Sequence, residues 1–155
     1  MSCARSSLCV AIDARGRSGS LEADTIVSST DPAGGPAAWR ETSFAGRSDI
    51  AGGLGSVSCP SAHFCAISTN GGDAILTSTD PMGGPSAWKL SSVPFYIDDL
   101  ICASARMCVG INNRALLATS NPTGGARAWH LSFTRSTLTP EHLGCASPHL
   151  CVVTA

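Results

Sequence analysis

Residues 58–68 read SCPSAHFCAIS, and closely similar text recurs as SCARSSLCVAI at 2–12, ICASARMCVGI at 101–111 and GCASPHLCVVT at 144–154. Each copy holds one Cys-x5-Cys pair: Cys3/Cys9, Cys59/Cys65, Cys102/Cys108 and Cys145/Cys151, which together account for all eight cysteines of the chain. The leading cysteines stand 56, 43 and 43 residues apart. A period near 43 residues is the length of one supersecondary unit, so the chain is read as a repeat array.

Paired cysteines are also the usual ligands of structural zinc, normally at Cys-x2-4-Cys spacing, where two thiolates converge from a tight turn. Five intervening residues are loose for that geometry. His63, His130, His142 and His149 keep no constant offset from the pairs. The spacing instead suits a short hairpin loop closed by its own disulfide, and this is the favoured reading. A disulfide framework belongs to an oxidising compartment, so an extracellular, secreted location is expected. The opening MSCARSSLCV has no apolar stretch of the signal-peptide kind. The expectation is therefore a mature piece or fragment of a longer secreted protein.

A second motif lies between the pairs: SSTDPAGGPAAW (28–39), TSTDPMGGPSAW (77–88) and ATSNPTGGARAW (118–129). Pro presets φ for turning, and Gly-Gly permits positive φ. Asp31 and Asp80 can accept backbone N–H bonds across such a turn, and Asn121 can do so more weakly. Trp39, Trp88 and Trp129 would cover the turn and pack toward a neighbouring sheet. In the second repeat, short apolar runs bounded by Gly, Pro, Asn and Ser predict strands at Leu54–Ser58, Phe64–Thr69, Ala74–Ser78 and Ala87–Ser92. No three-turn stretch free of Gly and Pro keeps a helical period. Four short strands per repeat make a β-propeller blade. The fold class expected is all-β, about three blades at 1–53, 54–97 and 98–139 with a partial blade at 140–155. An incomplete ring would be closed by the rest of a longer propeller or by homo-oligomerisation.

The Ser-x-Asp-x-Gly-x-x-Trp-like text resembles the Asp-box, or BNR-type, propeller repeat, above all the Cys-containing version in secreted bacterial repeat proteins. The turn is longer here, and the third copy carries Asn121. The resemblance implies that Asp31, Trp39, Asp80, Trp88, Asn121 and Trp129 are structural and lie away from any binding site.

Successive loops of an antiparallel blade alternate between its two ends. The Cys-x5-Cys loops and the Asp/Asn-to-Trp turns therefore share one face, and both keep constant length. From the second cysteine to the Asp/Asn the chain takes 22, 15 and 13 residues, and from Trp to the next cysteine 20, 14 and 16. All length variation falls on the opposite face, where loops on a rigid scaffold usually bind. Candidate ligand-binding residues there are Arg15, Arg17, Arg47, Asp49, Tyr96, Asp98, Asp99, Arg114, Arg135, Glu141 and His142. The Asp98-Asp99 doublet offers adjacent carboxylates for Ca²⁺ or sugar hydroxyls. No other cofactor is implied.

Only 14% of the 155 residues are charged, against roughly 25% in ordinary domains, and the net charge is −1. No strong field draws the chain to nucleic acid, and no apolar run approaches the length of a membrane span. Signatures of nucleophile elbows, zinc proteases and phosphate loops are absent from the sequence. The reading favoured is a non-catalytic extracellular binding or surface-display module for carbohydrate or protein. The alternative is a fragment of a sialidase-like glycoside hydrolase, with Tyr96 as nucleophile, Glu141 activating it, Asp98 as acid/base and arginines clamping a carboxylate.

Overall fold

A computed structural model of the chain describes residues 1–5, 7–13, 25–47, 50, 52–134 and 139–154. Its strands form four antiparallel sheets in strict chain order. The first holds β1 (Ser2–Cys3), β2 (Cys9–Asp13), β3 (Thr25–Ser29) and β4 (Arg40–Ser43). The second holds β5 (Leu54–Ser61), β6 (Phe64–Thr69), β7 (Ala74–Ser78) and β8 (Lys89–Ser92). The third holds β9 (Asp99–Ser104), β10 (Met107–Ile111), β11 (Ala115–Thr119) and β12 (His130–Thr134). A final hairpin pairs β13 (His142–Ser147) with β14 (Leu150–Thr154). The first strands β1, β5, β9 and β13 lie side by side from sheet to sheet, so they are innermost in a radial stack. This is a run of propeller blades, three complete and one present as its two inner strands.

Each cysteine pair closes its own hairpin as a disulfide, with Cα atoms 3.9 to 4.1 Å apart. In three of the four hairpins the two cysteines stand directly opposite in the ladder: Cys3↔Cys9, Cys102↔Cys108 and Cys145↔Cys151. The zinc alternative falls with them, since no cysteine is free.

The core lies between sheets. Leu8, Val10, Ile26 and Phe44 of the first blade meet Cys65, Ile67, Leu76 and Trp88 of the second. On the second blade's other face, Phe64, Ala66 and Ile75 meet Leu100, Cys108, Leu117 and Trp129. The middle blade is thus covered on both sides, and every residue of β6 and β7 is buried. This is why those strands read as continuous apolar-to-small runs rather than as an alternation. At the far end β14 alternates exposed and half-buried, leaving Leu150 and Val152 each 56% exposed.

The Asp/Asn-Pro-x-Gly-Gly segment turns the chain from third to fourth strand in all three blades. In the second, the Gly83 N–H donates to the Asp80 carbonyl at 3.0 Å, closing a β-turn with Pro81 at its first corner. The Asp80 N–H donates to Ser78 Oγ at 3.0 Å, and Ser29 and Thr119 serve Asp31 and Asn121 at the same distance. The two glycines answer different demands. A Cβ on Gly83 would collide with the Asp80 carboxylate folded over it, while Gly84 adopts φ +80°. Pro85–Ala87 then form one 3-10 turn, the Trp88 N–H donating to the Pro85 carbonyl at 3.3 Å. The fourth strand therefore starts at Lys89 rather than at the expected Ala87. Proline at the first helical position holds φ near that of a helix and needs no donor there.

Candidate functional site

The connections β4–β5, β6–β7, β8–β9, β10–β11 and β12–β13 all leave the same end of the blades, opposite the disulfide hairpins. On the β8–β9 connection, Ile97 is buried in the seam between second and third blades. Gly110 makes room for it, because a Cβ there would meet the Ile97 side chain. With Ile97 directed inward, its neighbours Tyr96 and Asp98 are left exposed.

The partner is the β10–β11 turn, pinned by the buried Asn112. Asn112 Oδ1 accepts the N–H groups of Arg114 and Ala115, both at 2.9 Å, and its Nδ2 donates to the Tyr96 carbonyl at 3.2 Å. The Tyr96 hydroxyl donates to Asn113 Oδ1 at 3.3 Å. Phe95, Tyr96, Asn112, Asn113, Arg114 and Ala115 line a cleft of about 470 Å³. Tyr96 and Arg114, both singled out from the sequence, come together here. The two asparagines were not singled out, although an Asn-Asn pair between apolar runs is a turn signal that could have found them.

Other candidates go elsewhere. Asp98 and Asp99 have different surroundings. Asp98 is exposed and tied by its backbone N–H to the Ile111 carbonyl at 2.9 Å. Asp99 begins β9, lines an axis-side cleft of about 740 Å³, and accepts the Ser56 hydroxyl at 3.3 Å. Among the described residues no group of three or more His, Cys, Asp or Glu is assembled for a metal ion. Arg47 is half-buried; its guanidinium donates to the Trp88 carbonyl at 3.3 Å and lies 5.9 Å from the Phe44 ring centre. That places Arg47 at the seam between first and second blades. Glu141 and His142 are exposed at the start of β13, the Glu141 N–H donating to the Thr154 carbonyl at 2.9 Å. Arg15, Arg17, Asp49 and Arg135 lie outside the described residues.

The turn residues sit at the other end of the blades. Trp88 and Trp129 are 2% and 3% exposed, each lodged against the preceding blade. Trp39, in the first described blade, is half-buried.

No protein-family model matches the chain, and no curated protein does. Among solved structures it is similar to YCF48 from Cyanidioschyzon merolae, a β-propeller protein, with a TM-score of 0.64 at 11% identity. The match covers 94% of this chain and 44% of that one, so the chain spans less than half the length of this structural neighbour. At this identity the likeness speaks to fold alone: the chain is built as β-propeller blades, three whole and one begun.

Proposed function

We propose that the chain is a non-catalytic, extracellular binding module built of Asp-box-type repeats, taking a glycan on the loop face at the Tyr96–Asn113–Arg114 cleft. The observation that carries this reading is the cleft itself, lined by Tyr96, Asn113 and Arg114 and held in shape by the buried Asn112 amide beneath them. Aromatic faces pack against the apolar side of a sugar ring, amides match vicinal hydroxyls, and arginine adds affinity for an acidic sugar. The four disulfides support an oxidising, extracellular setting. The Ser/Thr-capped Asp/Asn turns, packed through their tryptophans, support a structural role for the repeat motif.

The sialidase-like reading gains nothing from the geometry, because the Tyr96 hydroxyl is directed at an amide oxygen rather than at a carboxylate. The test is a binding screen of the full chain against neutral and acidic glycans, with Tyr96→Ala and Arg114→Ala alongside. Saturable binding weakened at least tenfold by either substitution is expected. No glycan binding, or binding indifferent to both, would overturn the reading. Turnover of a sialoside abolished by Tyr96→Phe would replace it with the hydrolase.

A further inference from the structure

The third blade carries an unfilled notch whose shape is specified by the two filled ones before it. On the first blade, Leu8, just before β2, Ile26 of β3 and Phe44, which follows β4, form the floor on which Trp88 of the next blade sits. On the second, Phe64, Ile75 and Val93 form the same floor under Trp129. At the equivalent ladder positions the third blade offers Met107 and Leu116, and it adds Phe133 on the fourth strand where the first two blades carry Thr42 and Ser91. Phe133 stands opposite Leu116 in the β11–β12 ladder and so shares its face. This floor is only partly covered: Met107 and Leu116 are half-buried and Phe133 is 42% exposed. The β13–β14 hairpin buries Val109 and Ile111 with Leu143, and Met107 and Leu116 are only partly buried at the margin of that cluster.

Beside the notch, among the described residues, β14 pairs with β13 on one edge and has no strand on the other. The missing pairing has a fixed register, because second and third strands meet identically in every complete blade: Cys9↔Ser29, Cys65↔Ser78 and Cys108↔Thr119.

We propose that this notch and edge bind an outer β-hairpin of the repeat's own chemistry. Its first strand pairs antiparallel with β14 and ends in a Ser or Thr opposite Cys151. An Asp-Pro-x-Gly-Gly turn follows, and then a Trp seated on Met107, Leu116 and Phe133. The surface is a β-strand acceptor with an aromatic socket: backbone pairing supplies affinity and the socket supplies specificity. Continuity favours this occupant, since the same surface is filled this way at both internal seams. The inference is independent of the loop-face cleft.

The test uses the full, disulfide-bonded chain and a fluorescein-labelled peptide of residues 72–93, GDAILTSTDPMGGPSAWKLSSV, read by anisotropy. Saturable one-to-one binding is expected, with slowed amide exchange across β14. The Trp88→Ala peptide should bind at least tenfold more weakly. Phe133→Asp in the chain should weaken binding as much, while Leu131→Asp should leave it unchanged. Leu131 is 54% exposed on the same strand but shares the opposite face with Leu117. No binding, or binding indifferent to both Trp88→Ala and Phe133→Asp, would overturn the proposal. So would dimerisation of the chain through β14 without peptide uptake, which would assign the surface to a second copy.

Discussion

The Cys102 N–H donates to Ser58 Oγ at 2.8 Å, across the seam between second and third blades. One seam earlier, the Cys59 N–H donates to Ser2 Oγ at 2.9 Å. The serine immediately before one blade's first cysteine therefore satisfies the first cysteine of the next, and the inner strands are laced together. Ser56 adds to the second seam, its Oγ accepting the Leu100 N–H at 3.2 Å. In the third and fourth copies the serine position holds Ile101 and Gly144. Ile101 packs among apolar neighbours at the last seam instead.

Ser58→Ala leaves the buried Cys102 N–H without its acceptor. Leaving a buried donor unsatisfied costs about 1–3 kcal/mol, and urea unfolding under non-reducing conditions should show a loss of that size. Ser104→Ala is the control: its hydroxyl serves the exposed Arg106 N–H, and surface changes of this kind stay within about 0.5 kcal/mol. Equal effects from the two would contradict the lacing.

The tryptophans should rank by position in the array, although their sequence contexts are nearly identical. Trp88→Ala empties a buried site where the indole meets the Phe44 ring edge-on, with centroids 6.2 Å apart. A loss of about 3–5 kcal/mol is expected for a large buried aromatic. Trp39→Ala, at the half-buried end, should cost less than half as much in the same denaturation experiment.

In the turn, Gly83→Ala should destabilise because its methyl group meets the Asp80 carboxylate. In an Asp80→Ala background that collision is gone, so the two substitutions should be non-additive, with a coupling of about 0.5–3 kcal/mol. Gly84→Ala should cost about 1–2 kcal/mol in either background, since φ +80° is strained for any residue with a Cβ. Thermal melts of the single and double variants would show an additive pair if the carboxylate does not lie over Gly83.

Each disulfide closes a loop of about seven residues, for which the chain-entropy model gives about 2.4 kcal/mol. Replacing Cys102 and Cys108 by alanine should lower stability by at least that much, because both are also buried in the seam core. Replacing Cys145 and Cys151, which are only half-buried, should cost less. Reduction of all four bonds should lower the melting temperature sharply; an unchanged melt would contradict their contribution.

Much of the architecture could be read directly. The recurrence of Cys-x5-Cys and of Asp/Asn-Pro-x-Gly-Gly marks where hairpins and turns fall, because both are local: seven to ten residues carry all the groups that make them. Leu54, Phe64 and Ala74 open strands where the text predicts them. The start of β8 is not legible from the text, because Ala87 is apolar in either conformation and the 3-10 turn depends on Gly84 and Pro85 acting together. Of the candidate site, Tyr96 and Arg114 were legible as loop residues. Nothing in the text separates Asp98 from Asp99, or assigns Arg47 to a blade seam.

What the sequence determined by itself was the unit: its length, its disulfide, its turn and its all-β character. These depend on residues close along the chain and are repeated often enough to be read without doubt of register. The tertiary structure alone decided which faces of those units are covered. Trp39 and Trp88 share a motif yet differ in burial, and Asn112 becomes a pin only because Ile97 brings Tyr96 beside it. Burial is a property of neighbours distant in sequence, so identical local text acquires different energetic meaning at the middle and at the ends of the stack.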